Sequence, residues 1–252
     1  MHPLSNRWPS RHPSVTLAPD CIHVWRAFLF EQQGRLPDFY ATLDPEERDR
    51  AGRFVFERDR QRYIISHGIL RDILARYSGQ AAHTLRFVKN SYGKPQLLST
   101  TAAAGLHFNL SHSHDLALYA IALDRPVGVD VEWMRPEFAG LDIARHSFAP
   151  AEIAALIEVP ASQQRQAFFN CWTRKEAYIK AVGQGLGIDL NSFIVSLKPD
   201  EPARLCSIND DVQSASGWTM RALDVHSDYA AAVASESPLM ACLQWTWQPL
   251  SG

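Results

Sequence analysis

Two carboxylates spaced two apart on a strand can hold a cation against a phosphate. So can a carboxylate followed by a lysine one helical turn later, and this chain has both arrangements. In Val127-Gly128-Val129-Asp130-Val131-Glu132 apolar and polar residues alternate with the period of a strand. The valines then turn to a core, and Asp130 and Glu132 stand together on the other side. Adjacent carboxylates repel unless something positive lies between them; taken alone, the pair also reads as a solvent-facing strand edge. Gly128, on the carboxylate side, is expected to leave space for a bulky anion.

The second arrangement lies in Phe168-Phe169-Asn170-Cys171-Trp172-Thr173-Arg174-Lys175-Glu176-Ala177-Tyr178-Ile179-Lys180. At helical spacing Phe168, Trp172, Ile179 and Val182 form an apolar stripe, with Glu176 on it and Lys180 one turn later. A Glu–Lys pair so spaced is common on exposed faces and contributes only a few tenths of a kcal/mol. Beside bulky aromatics, however, a carboxylate is desolvated at a cost of kilocalories unless a partner or a metal compensates. Magnesium would reconcile the two arrangements, because it takes one or two carboxylates together with substrate phosphates and water. Asp130, Glu132 and Glu176 would supply the carboxylates, and Lys180 a positive charge beside a phosphate. This is a constellation for phosphoryl or pyrophosphoryl chemistry.

Three further segments carry weaker signals. Phe108-Asn109-Leu110-Ser111-His112-Ser113-His114 ends an alternating run, and its Ser, His and turn amides suit a phosphate, though the same residues also make a plain polar turn. No GxSxG elbow surrounds either serine, and a zinc site at His112 and His114 lacks further ligands. Gly93-Lys94-Pro95 offers a turn, a cation and a fixed backbone. Arg48, Arg50, Arg53, Arg58, Arg60 and Arg62 read either as a solvated helix face or as a basic patch. Gly183-Gln184-Gly185-Leu186-Gly187 follows a helix, so it reads as a helix stop with Gly183 as left-handed cap, and as no dinucleotide fingerprint.

The elements that must position these residues follow from periodicity and punctuation. A strand is expected over 21–30, then a helix opened by Asp44-Pro45-Glu46-Glu47, broken near Glu57 to Asp59 and stopped at Gly79. Strands follow near 85–88, 106–110 and 116–123, and Arg125-Pro126 marks a turn. The pattern then restarts: a strand over 127–132, helices over 150–159 and 163–182, and strands near 193–197, 205–208, 218–223, 229–234 and 243–247. The expected fold is α+β, with two similar subdomains related by a pseudo-twofold axis, each with helices on a mostly antiparallel sheet. They cover 19–125 and 126–252 after a flexible Pro-rich leader, 1–18, and the site lies in the cleft between them.

Bulk properties agree with an enzyme of this size. The 252 residues are 46% hydrophobic and 21% charged with a net charge of −2, which suggests neither nucleic acid nor an anionic membrane as partner. Four scattered cysteines, no long apolar run and no secretory h-region point to the cytoplasm.

In order, Gly93-Lys94-Pro95, Phe108 to Ser113, Gly128 to Glu132 and Trp172 to Lys180 resemble the pseudo-dimeric, surfactin-synthetase-activating (Sfp) type of 4′-phosphopantetheinyl transferase. The resemblance implies transfer of phosphopantetheine from coenzyme A to a serine hydroxyl of an apo acyl or peptidyl carrier protein, with release of 3′,5′-ADP, by a monomer. It implies Mg²⁺ on Asp130, Glu132 and Glu176, and Lys180 on the phosphate under attack; Glu176, beside both the metal and Lys180, is then the candidate general base, directly or through water. It further implies that Lys94 and the Pro95 backbone line the nucleotide pocket and that Ser111 and His112 reach the coenzyme A phosphates. Arg50, together with Arg48, Arg53 or Arg62, would hold the 3′-phosphate. Glu47 departs from the family pattern, which often has a basic residue there. The alternatives are a non-catalytic coenzyme A-binding module and a Mg²⁺-dependent pyrophosphate hydrolase.

Overall fold

In the computed structural model, residues 8–10, 16–98, 104–135, 137, 140–238 and 241–249 are described. The chain forms β1 (Cys21–Phe28), α1 (Leu36–Thr42), α2 (Pro45–Gly52) and α3 (Glu57–Ser78). The hairpin β2 (Phe87–Lys89) and β3 (Pro95–Leu97) leads to β4 (Leu106–Ser113) and β5 (Leu116–Leu123). The second half begins with β6 (Val127–Trp133), α4 (Leu141–Ser147), α5 (Pro150–Glu158) and α6 (Ala161–Val182). It continues with β7 (Phe193–Val195), β8 (Leu205–Ile208), α7 (Val212–Ala215), β9 (Trp218–Ala222), β10 (Tyr229–Glu236) and β11 (Ala241–Thr246). The strands form sheets in the orders β11-β1-β5-β4, β6-β10-β9, β2-β3 and β7-β8. All pairings are antiparallel except β1 with β11, so the fold is α+β as expected.

The two halves repeat one device. Each has a 22-residue helix closed by a glycine in the left-handed region, Gly79 (φ 69°) after α3 and Gly183 (φ 77°) after α6. Each of these helices buries a basic residue at the same place, Arg71 in α3 and Lys175 in α6. Each of these cations meets a glutamate three residues inside the preceding helix. Arg71 pairs with Glu47 at 2.7 Å, and Lys175 with Glu152 at 2.8 Å. Both glutamates also accept a backbone N–H at their own helix start, Glu47 from Asp44 and Glu152 from Ala149. The similarity of the halves thus extends from element order to particular ion pairs.

The expected helix break at Glu57 to Asp59 lies slightly earlier, over residues 53–56, because the two acids fill the first turn of α3, where the helix dipole favours them. The last strand, β11, lies beside β1 and returns to the sheet of the first half, where Trp245 and Trp247 join its core. Within the expected leader, Trp8 is buried and donates its indole N–H to the Asp224 carbonyl at 2.7 Å; residues 1–7 and 11–15 lie outside the described residues. Trp8 packs in a core shared by both halves, where Ile22, Val24, Leu118 and Ala120 face Val127, Val129, Val131 and Val233. The alternating valines of β6 therefore turn inward as the pattern predicts. Among the described residues, no helix is long and apolar enough to cross a membrane.

Lys175 and Glu152 are 1% and 0% exposed, and Lys175 also donates to the carbonyls of Leu190 and Phe193, both at 2.7 Å. Replacing Lys175 with Met leaves a buried carboxylate unpaired and should lower unfolding free energy by about 3–5 kcal/mol in urea titrations. Adding E152Q should recover part of that loss; no recovery would show that the charge of Glu152 is not the cause.

Candidate active site at the seam between the halves

β4 and β6 run side by side at the junction of the two large sheets, joined by side chains in place of a ladder. The residues that do this are Asn109, Ser111 and Ser113, spaced two apart on β4 and therefore on one face. The Val129 N–H donates to Asn109 Oδ1 at 2.8 Å, and Ser111 Oγ donates to Asp130 Oδ1 at 2.8 Å. Ser113 Oγ donates to Glu132 Oε2 at 2.8 Å and accepts the Trp133 N–H at 3.1 Å.

α6 lies across the carboxylate face of β6, and Gly128 permits the approach. A Cβ on Gly128 would stand 2.1 Å from the Ala177 carbonyl oxygen and 2.3 Å from the Ala181 nitrogen. The space expected there for an anion is filled by helix backbone. This packing brings Lys180 Nζ to 2.6 Å from Asp130 Oδ1 and 3.0 Å from Ser111 Oγ. Asp130 is 3% exposed, and its second oxygen, Oδ2, is buried without a hydrogen-bond partner.

Charge is in tension around that oxygen. Burial pushes the Glu132 carboxyl up to about 7, and Asp130 adds to the rise against Ser113, Lys180 and Arg135. Glu176 is also raised, by burial and then by Asp130, with Lys180 opposing. His112 lies at the rim. Its side chain is exposed there, and partial desolvation, then the nearby cations Lys180 and Arg62, disfavour the imidazolium. Among the described residues, no three His, Cys, Asp or Glu groups already converge on a single point. The fit to a cation rests on the orphaned Asp130 oxygen and on two neighbouring carboxyls that resist ionisation.

The arginines divide between two places. Arg50 and Arg53 line a cleft of about 470 Å³ with Glu46, Phe54 and Lys89. Arg62 lies on α3, 3.5 Å from Asp59, in a smaller groove with Phe30, Arg58 and Asp115. Glu47 is occupied by Arg71, so its departure from the family pattern is a structural one. Lys94 sits in the β2–β3 turn with its ammonium on main-chain carbonyls, and Pro95 is exposed opposite Lys89. Of the expected residues, Ser111, Asp130 and Lys180 touch one another, Glu132 and Glu176 flank them, and Arg50 and Arg53 stand apart. Sequence reasoning missed Lys89, which has no local signature, and the seam residues Asn109 and Ser113, whose spacing of two was the available signal.

This geometry defines a duplicated α+β protein with a buried aspartate–lysine–serine cluster between its halves. A family model described as 4′-phosphopantetheinyl transferase superfamily matches residues 126–234, and one described as 4′-phosphopantetheinyl transferase, N-terminal, matches residues 32–123. The chain is 38% identical over 246 residues to the 4′-phosphopantetheinyl transferase HetI of Nostoc sp. strain PCC 7120, covering 98% of each chain. It is 31% identical over 179 residues to the 4′-phosphopantetheinyl transferase Sfp of Bacillus subtilis strain 168, covering 71% of this chain and 76% of that one. The chain belongs to the 4′-phosphopantetheinyl transferase superfamily.

The Glu132 carboxyl supplies a pH test. Its ordinary value is 4.5, so the folded protein holds a proton here that the unfolded chain releases between pH 4.5 and about 7. Stability from this group is complete below pH 4.5 and is lost as the pH rises through about 7. In metal-free protein the urea midpoint of the wild type should fall relative to that of E132Q across this window. Parallel curves would show that Glu132 titrates as an exposed acid does.

Proposed function

We propose that this enzyme transfers the 4′-phosphopantetheine moiety of coenzyme A to a serine hydroxyl of an apo acyl or peptidyl carrier protein, releasing 3′,5′-ADP. The observation that carries the reading is Asp130, with one oxygen held by Lys180 and Ser111 and the other buried without a partner. A binding module gives no reason for such a group between two further carboxyls. The reading includes a monomer, since both walls of the site come from one chain, and a cytoplasmic location, which the four scattered cysteines support.

Asp130, Glu132 and Glu176 would hold Mg²⁺, whose oxygen preference suits three carboxylates and a pyrophosphate. Bound there, the ion supplies neutralisation of charge on the pyrophosphate and leaving group. Lys180, 28% exposed, would turn its ammonium to the oxygens of the phosphate under attack. The serine oxygen attacks the β-phosphate of coenzyme A, its proton passes to Glu176 directly or through water, and the bond to the α-phosphate breaks. Glu176 stands beside both Asp130 and Lys180, which suits it to that role. Ser111 and His112 would contact the coenzyme A phosphates, with Arg62 adding positive charge nearby. Arg50 and Arg53, together with Lys89, would hold the 3′-phosphate in their cleft, and the backbone at Lys94 and Pro95 would line the nucleotide pocket.

Intact-mass spectrometry of an apo carrier incubated with the enzyme, coenzyme A and Mg²⁺ should show a gain of one phosphopantetheine that EDTA abolishes. No gain on acyl or peptidyl carriers, with coenzyme A still bound, would overturn the reading. In single-turnover loading, E176Q should be slower by about 100-fold or more; a near-normal rate removes Glu176 as base. R50A and K89A should each raise the KM for coenzyme A by about tenfold while leaving dephospho-coenzyme A unaffected. An equal change for both substrates would place the 3′-phosphate elsewhere.

A further inference from the structure

Lys94 lies in a turn expected to line the nucleotide pocket, yet its ammonium is engaged elsewhere. Nζ donates to the main-chain carbonyls of Lys180 at 2.6 Å, Val127 at 3.1 Å and Ala181 at 3.2 Å. An ammonium has three N–H donors, so all are used. Burial without a carboxylate partner pushes the Lys94 amine down to about 8, which matches a cation held by carbonyl dipoles alone.

The identity of the acceptors gives this contact its meaning. The last four carbonyls of a helix lack intrahelical partners and carry the negative end of its dipole. In α6 the carbonyl of Ile179 is closed by the Gly183 N–H at 2.8 Å, and Lys94 takes the next two. Asn90, from the same turn, donates Nδ2 to the Gly183 carbonyl at 2.9 Å, while its Oδ1 accepts the N–H groups of Tyr92 and Lys94. Gly183 is required by both its φ of 77° and the passing lysine, since a Cβ there would lie 2.9 Å from Lys94 Cδ. The third acceptor, Val127, opens β6. One ammonium thus ties the hairpin turn, the end of α6 and the start of β6 together. Lys180 is where this tie meets the site, because its carbonyl accepts from Lys94 while its side chain reaches Asp130 on β6.

We propose that Lys94 is a positioning residue for phosphoryl transfer, fixing the last turn of α6 against β6 and so setting Lys180 over Asp130, and that its side chain does not contact the nucleotide. The catalytic half of this inference rests on the transferase reading above. The test compares wild type, K94M and K94R by amide hydrogen exchange of the ligand-free proteins, by kcat and KM for coenzyme A, and by calorimetric Kd for 3′,5′-ADP. K94M should speed exchange at residues 181–183 and lower kcat, each by about tenfold or more, with the Kd for 3′,5′-ADP changed less than about threefold. K94R, which keeps a cation at the helix end, should recover part of both losses.

Loss of 3′,5′-ADP affinity with unchanged exchange would overturn the proposal, as would faster exchange with unchanged kcat. If K94M is globally destabilised by its melting curve, K94R decides: local protection with normal nucleotide affinity and kcat supports the tie, and weakened nucleotide binding refutes it. A wild type that loads no carrier would refute the transferase reading, and with it the catalytic half, while exchange and 3′,5′-ADP affinity would still judge the tie itself.

Discussion

The site depends on a buried aspartate that two different halves of the chain must satisfy. Asp130 comes from β6, Ser111 from β4 and Lys180 from α6, and all three meet within 3.0 Å contacts. A carboxylate this deeply buried is expensive unless it is hydrogen-bonded and paired. The halves must therefore dock with β4 alongside β6, and the helix must sit against the strand without a side chain between them. Gly128 meets the second requirement, and the Asn109, Ser111 and Ser113 bridges meet the first. The valines on the opposite face of β6 supply apolar burial that holds the strand in that register.

α6 shows how much of a charged helix can be consumed by architecture. Arg174 is fixed on the Ser196 carbonyl and hydroxyl, and Lys175 on Glu152 and two carbonyls. Lys180 reaches the site, and Lys94 closes the helix end from outside. Each cation anchors the helix to a different segment, so the direction of Glu176 and Lys180 is set by neighbours that do no chemistry themselves. Such support is what holds a charged group in place without reorganisation as charge develops in a reaction.

The sequence displayed the elements that carry periodic signals and hid those that depend on partners. The β6 alternation, the capped start of α2 and the glycine stops of the long helices were legible because each is a local pattern. Asp130, Glu176 and Lys180 were legible as a set because strand and helix periods each place charges on one face. The return of β11 to the first sheet was not, since strand pairing across the whole chain leaves no local mark. Nor was the fate of Lys94, because a lysine in a turn looks the same whether its ammonium meets a phosphate or the end of a distant helix. Glu47 looked like a lost phosphate contact; only Arg71, 24 residues further along, shows it to be half of an ion pair.

The duplication also explains why one half holds the site and the other does not. Counted from the starts of α3 and α6, Asp72 and Arg76 occupy the places of Glu176 and Lys180. In the first half these two are bonded to each other at 2.5 Å. Asp72 also accepts the Trp247 indole N–H at 2.7 Å, and Arg76 donates to the Gln248 carbonyl. The facing strand, β1, presents His23 and Trp25 to Tyr77 where β6 presents carboxylates to α6. The end of the chain, led in by β11, thus covers the first pair and neutralises it. In the second half Lys180 is drawn to Asp130, and Glu176 has no hydrogen bond among the described residues. The same helix positions therefore form a pair closed on itself in one half, whereas in the other Lys180 turns to the strand carboxylate and Glu176 is left to one side of it.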